Sequence, residues 1–178
     1  MSRVEIPSRK NTPPETHATL DVIGKRIGFF PNLYRLTAMS PNTLAALVGL
    51  QTPLMKALDL KTRERIALVV SEINGCPYCV AAHAFVGLNL AKDSPEEIAL
   101  ARKGQSNNPK IQIILQFAAK VAEKRGHVSE DDIYCVREAG YSDAEIIEVI
   151  GLVIQFSFTN YINNVFDTDI DFPTDILA

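Results

Sequence analysis

From about residue 15 onward, apolar side chains recur every three or four positions, while alternating runs bounded by hairpin turns are absent. That pattern predicts helices along the whole chain and no sheet. A first helix over 15–27 stops at Gly28, ahead of the turn "FFPN", and Pro31 opens a short second one. Ser40 and Pro41 form an N-cap and first-turn pair for a third, which Pro53 should end or kink. From Thr62, Ile66, Val69, Val70 and Ile73 keep helical spacing up to a cap at Gly75. Pro77 opens the next helix, expected to run to about Lys92. Ser94 with Glu97 reads as a capping box for a helix closing at Gly104, and "QSNNP" as a loop. A helix over 110–125 precedes Gly126; Ser129 with Asp132 and Ser142 with Glu145 mark two more starts, the first of these helices ending at Gly140. The prolines at 7, 13 and 14 make residues 1–14 an extended arm, residues 15–178 one domain, and "DTDIDFPTDILA" a docked tail.

In the last helix Ile146, Ile147, Val149, Ile150, Leu152, Val153, Ile154, Phe156 and Phe158 cover more circumference than one core-facing stripe needs. Either part of that surface meets another subunit, or the helix is central and surrounded by its own domain. The stretch 149–166 has no charged residue and is long enough to begin to span a bilayer. Gln155, Ser157, Thr159, Asn160, Asn163 and Asn164 interrupt it, so a helix at a subunit interface is the better reading and no membrane is expected.

Composition narrows the class without changing that picture. The chain has 178 residues, 47% hydrophobic and 22% charged, enough for one core. Net charge is −3, and the 18 basic residues are scattered, so no basic face offers itself to nucleic acid. The opening "MSRVEIPSRKNTPP" has no apolar run of signal-peptide type, which makes a cytoplasmic location the expectation. Three cysteines are too few for a secreted disulfide framework; in a reducing compartment a close pair is more often catalytic or metal-binding.

Such a pair lies in "SEINGCPYCVAAHAFVG". Cys76 and Cys79 would occupy the first turn of the helix opened by Pro77, where free N–H groups and the macrodipole favour a thiolate. Cys79 and His83 are i and i+4 and share a face, so the imidazole can take or share the thiol proton, and Cys76 is near enough to Cys79 for a disulfide. An antiparallel hairpin turning near residue 75 sets position 64 across from position 86. Glu64 then comes within about 5 Å of His83 along the axis, at a rise of ~1.5 Å per residue. Glu72 falls opposite position 78 and competes for the same role. Each residue also has a plain structural reading: small buried cysteines, a satisfied core histidine, a Glu favoured in a first helical turn. Cys135 stands alone in an amphipathic helix and reads as structural; Tyr78, Tyr134, Tyr161 and the phenylalanines read as core or interface. Zinc is the competing chemistry, but Cys76, Cys79 and His83 supply three ligands, and a fourth would have to come from distant Cys135, His127 or His17.

At Glu64, Cys76, Cys79 and His83 within "RERIALVVSEINGCPYCVAAHA" the chain resembles the alkyl hydroperoxidase D-like family of the carboxymuconolactone decarboxylase superfamily. The stretches "GFFPNLYRLTAMSPNTL" and "AGYSDAEIIEVIGLVIQFSFTNYINNVFDTDIDFP" resemble its longer, peroxidase-related members. The resemblance implies an all-α bundle with C-x-x-C at the start of a central helix, trimers or hexamers, and peroxide reduction by a thiol cycle. It assigns Cys79 as the thiol that attacks peroxide, Cys76 as the thiol that resolves the sulfenic acid, His83 as proton acceptor and Glu64 as its partner. Where some members carry His between the cysteines, this chain has Tyr78. The implied partners are hydrogen or organic hydroperoxides and an external dithiol or protein thiol, with no metal or organic cofactor required. The superfamily's decarboxylases generally lack the cysteine pair; a cofactor-free decarboxylase or lactone-processing enzyme, or a noncatalytic oligomer that senses oxidants or binds metal, are the alternatives.

Overall fold

Helices connected by short turns, with no strand, make up the described part of the chain: the structure, a computed structural model, describes residues 1–174. In order they are α1 (His17–Ile27), α2 (Asn32–Thr37), α3 (Pro41–Leu54), α4 (Leu60–Ile73), α5 (Pro77–Asn89), α6 (Pro95–Ala101), α7 (Pro109–Glu123), α8 (Glu130–Glu138) and α9 (Asp143–Phe166). The all-α expectation is met.

The centre is α4, which packs against α5, α6, α7 and α9. Ile66, Leu68 and Val70 from α4, Ile114 and Leu115 from α7, and Val149 and Leu152 from α9 are completely or almost completely buried together. At about 1.5–3 kcal/mol per large aliphatic side chain removed from water, this layer dominates the folding energy. α4 is therefore a rigid platform for any group it carries.

Several boundaries differ from expectation, each for a tertiary reason. The arm is not extended throughout: Arg9–Asn11 forms a 3-10 turn, with the Thr12 hydroxyl donating to the Arg9 carbonyl and Arg9 paired to Asp21. Pro31 is the N-cap of α2 rather than its first residue, and α3 continues one residue past Pro53. α4 begins at Leu60 because Asp59 caps it, accepting from the Thr62 N–H and hydroxyl. α5 ends at Asn89, short of Lys92: the chain folds back so that the Asp93 N–H donates to the Gly87 carbonyl and the Asp93 carboxylate receives the buried Arg65 guanidinium. The boxes at Ser129 and Ser142 form in full, but that at Ser94 is half made. Ser94 accepts from the Glu97 N–H; the Glu97 carboxylate goes instead to Arg65, the Ser106 hydroxyl and the Asn107 N–H, tying the 105–108 loop to α4.

The expected tail docks over its described part, 167–174; its last four residues lie outside the described residues. Phe172 sits edge-on to Phe29 and Tyr78, while the Asp171 carboxylate accepts from the Tyr78 hydroxyl and the Asn32 N–H. Tyr78 is thus core, whereas Tyr134 and Tyr161 are exposed. α9 is long and apolar enough to cross a membrane, by length and composition only. One of its faces packs on α3, α4, α5 and α7, while Ile147, Ile150, Ile154, Tyr161 and Val165 are exposed on the other. Its own domain therefore does not surround it.

Candidate functional site

The turn between α4 and α5 is built by its sequence and then pinned from outside. Gly75 takes φ +60°, the left-handed conformation that glycine adopts without penalty, and Pro77 supplies the first residue of α5. Cys76 is the N-cap: its N–H donates to the Ser71 carbonyl, and its Sγ accepts from the Cys79 N–H at 3.3 Å. Cys76 and Cys79 form a disulfide, with Cα atoms 5.3 Å apart, and are 1% and 3% exposed. From α9, Asn163 donates to Cys79 Sγ at 3.3 Å. Asn74 donates to the fully buried Asn160, which donates in turn to Ser71, and Asn164 donates to the Asn74 carbonyl. Three asparagines at i, i+3 and i+4 thus clamp the cysteine turn.

His83 lies one turn beyond Cys79 on α5. Its Nδ1 donates to Glu64 Oε2 at 2.8 Å, so the hairpin brings these two together directly, without a bridging water. That bond fixes the ring and leaves Nε2 as the side able to accept a proton. The Phe156 ring stands edge-on to the imidazole at 5.1 Å. Glu72 is turned elsewhere and pairs with Arg102, the C-cap residue just after α6. Glu64 is therefore the carboxylate that reaches His83.

Glu64 and His83 line a cavity of about 220 Å³ between α1, α3, α4, α5 and α9. Its other walls are mostly aliphatic or aromatic, with Tyr34, Gln51, Thr52 and Gln155 as neutral polar groups and Arg26 and Arg63 as cations. Burial raises the Tyr34 phenol pKa against the opposing effect of its bond to Gln51, keeping it a neutral donor at 3.2 Å from Gln51 Oε1. The cavity combines an apolar bed, a carboxylate-oriented imidazole and both neutral and cationic hydrogen-bonding groups, which suits an organic molecule whose reacting end meets a proton acceptor.

The more distant candidates do not join this site. His17 bonds Arg9 and the Thr12 carbonyl, Cys135 is exposed on α8, and His127 is exposed beyond α7. Among the described residues, no three His, Cys, Asp or Glu side chains gather as a metal set. Sequence reasoning missed Tyr34, Phe156 and above all Asn163. A signal for Asn163 existed: the asparagines at 160, 163 and 164 are strongly polar in an otherwise uncharged stretch.

Comparison with known proteins agrees on the fold. Residues 41–106 match the carboxymuconolactone decarboxylase family. No curated protein matches the chain by sequence. Among solved structures, the alkylhydroperoxidase AhpD core of a peroxidase-related protein from Ralstonia eutropha superposes with a TM-score of 0.86 at 24% identity, covering 98% of this chain and 94% of that one. A peroxidase-related protein from Silicibacter gives 0.82 at 24%, covering 98% and 93%. A cysteine-to-alanine variant of the debrominase Bmp8, in complex with 2,3,4-tribromopyrrole, gives 0.82 at 18%, covering 96% and 94%. At these identities the likeness is one of fold.

Proposed function

We propose that this chain, an AhpD-like member of the carboxymuconolactone decarboxylase superfamily, is a thiol-dependent peroxidase that reduces hydrogen or organic hydroperoxides. The observation that carries the reading is the Cys76–Cys79 disulfide placed one helical turn before a histidine held by a buried carboxylate at the wall of an apolar cavity.

In the reduced protein His83 Nε2 takes the proton of Cys79, helped by Glu64 on Nδ1. The Cys79 thiolate is supported by the Asn163 amide and by the N-terminal end of α5. It attacks the terminal peroxide oxygen; the O–O bond breaks, the alkoxide leaves with the proton held by His83, and Cys79 becomes a sulfenic acid. The Cys76 thiol then displaces hydroxide from that sulfur, water leaves, and the disulfide seen here results. An external dithiol or protein thiol returns both sulfurs to thiols.

Steady-state consumption of cumene hydroperoxide with dihydrolipoamide as reductant tests the cycle. Turnover should vanish in Cys79→Ser and fall to the level of adventitious resolution in Cys76→Ser. A decarboxylating or lactone-processing activity on this fold has no use for the pair and would survive both substitutions. The fold is shared with a debrominase, so a bromopyrrole belongs among the substrates tried. Absence of peroxide turnover in wild type, with reduced thiols persisting after peroxide, would overturn the reading.

A further inference from the structure

Charge is unevenly placed around the Glu64–His83 cavity. Its two cations converge on the turn that joins α3 to α4. Arg26 of α1 donates through Nη1 to Met55 Sδ, and Arg63 of α4 donates through Nη1 to the Ala57 and Leu58 carbonyls at 3.0 and 2.8 Å. These contacts hold both guanidinium groups at the turn without neutralising them. Among the described residues neither arginine pairs with a carboxylate, and the neighbouring Asp59 carboxylate is taken by Thr62. Each keeps Nε and Nη2 unengaged, the two-pronged side with which a guanidinium grips a carboxylate. The reacting end differs: the Glu64 carboxylate is occupied by His83, and Phe156 and Leu152 supply apolar wall. Burial dominates the Tyr34 pKa, yet the Arg26 charge lowers it and the Glu64 charge raises it, so both charges act within the one cavity. At about 220 Å³ the space is smaller than the ~300–1,000 Å³ of drug-sized sites, so it fits a small molecule with an apolar body and one anionic end.

We infer that the cavity selects a carboxylate-bearing organic hydroperoxide, its carboxylate on Arg26 and Arg63 at the α3–α4 turn and its hydroperoxide at His83. The inference rests on the peroxidase reading for the reaction, while the acid-binding half stands on the two arginines. Entry has one direction, because the Glu64 charge repels a carboxylate from the reacting end and the arginines attract it to the other. The reaction leaves the carboxylate untouched. The Cys79 thiolate attacks the terminal oxygen, and the O–O bond breaks with its electron pair on the oxygen that stays with the substrate. The proton held by His83 turns that alkoxide into a hydroxyl, so the product is a hydroxy acid and Cys79 is left as a sulfenic acid. Cys76 and the external dithiol then complete the cycle as given above. A neutral peroxide finds the same apolar wall but no grip at the turn, and an organic acid without a peroxide group is a competitive inhibitor.

Matched ligands separate binding from chemistry. Calorimetry on the oxidised protein, which needs no turnover, compares 4-isopropylbenzoate with 4-isopropylbenzyl alcohol. Steady-state kinetics compares kcat/KM for 4-carboxycumene hydroperoxide and its methyl ester. The acid should be favoured about tenfold in each comparison, the scale of a hydrogen bond to a charged group. Arg26→Gln, at an exposed position where folding is not at stake, should cut that preference about threefold or more. Arg63→Gln should do the same, and Arg63→Lys should keep more of it than Arg63→Gln. Lys25→Gln removes the same charge from an exposed neighbour outside the cavity and should leave the preference intact. Equal binding of acid and alcohol by the wild type, a preference unchanged in both Arg→Gln variants, or an equal loss in Lys25→Gln would overturn the inference. Preferential binding of the acid without turnover of either peroxide would instead remove the peroxidase reading and leave the acid site standing.

Discussion

Glu64 and Glu72 are the same residue type, two turns apart on α4, and their surroundings give them opposite work. Glu64 is buried and spends a carboxylate oxygen on His83, while Glu72 is half-buried and faces the Arg102 guanidinium. Glu64→Gln keeps the shape of the side chain but removes the charge that favours an imidazolium, so peroxide kcat/KM should fall by about tenfold or more, within the range for an oriented acid–base pair. Glu72→Gln should stay within about twofold, since a half-exposed ion pair contributes little. Equal losses in both variants would return Glu72 to the relay. The cysteines and His83 were legible in the sequence because their geometry is local: eight residues on one helix fix the shared face. Hairpin spacing brought both glutamates near but could not separate them, because the deciding partner, Arg102, stands 30 residues further on at the C-cap of α6. Asn163 comes from 84 residues beyond Cys79, a contact that no spacing within one helix encodes.

At the scale of elements, the start of α4 sets where Glu64 points, and that start depends on one cap. Burial works to raise the Asp59 carboxyl pKa, but the Thr62 hydroxyl and the N–H groups of Thr62 and Lys61 outweigh it and hold the group below its ordinary value of 3.8. A carboxyl lowered in the folded state adds stability above the unfolded value and loses it as pH falls through the folded one. Asp59→Ala should therefore lower stability by about 1 kcal/mol at neutral pH, the usual worth of an N-cap. In urea titrations the gap to wild type should narrow as the pH is taken below 3.8. A gap that is the same in acid would mean the loss is packing rather than a charged cap. Caps made within four residues, such as Ser129 with Asp132 and Ser142 with Glu145, are visible in sequence for this reason. The box at Ser94 failed because the buried Arg65 guanidinium bid for Glu97 from another helix.

At the scale of the whole molecule, α9 leaves one question that a single chain does not answer. Over about 27 Å of helix, at ~1.5 Å per residue, Ile147, Ile150, Ile154, Tyr161 and Val165 form an exposed stripe at helical spacing, with Phe158 half-buried among them. No charge lies between Val149 and Phe166 to oppose an identical surface, so the occupant proposed is α9 of a second copy, related by a two-fold axis that pairs the stripe with itself. Of the two sizes implied by the family resemblance, a hexamer can contain such axes and a cyclic trimer cannot. Sedimentation equilibrium should therefore give an even number of subunits, and Ile154→Asp should shift the distribution toward smaller species with helicity unchanged by circular dichroism. A wild-type monomer or trimer would reject the pairing. The contact also bears on the site, because Gly151 sits between Ile147 and Ile154 and a Cβ there would meet Leu54, a wall residue of the Glu64–His83 cavity, at 3.2 Å. Movement of α9 on dissociation would pass through Leu54 to the cavity, so Ile154→Asp should raise the KM for a bulky organic peroxide while leaving that for hydrogen peroxide nearly unchanged.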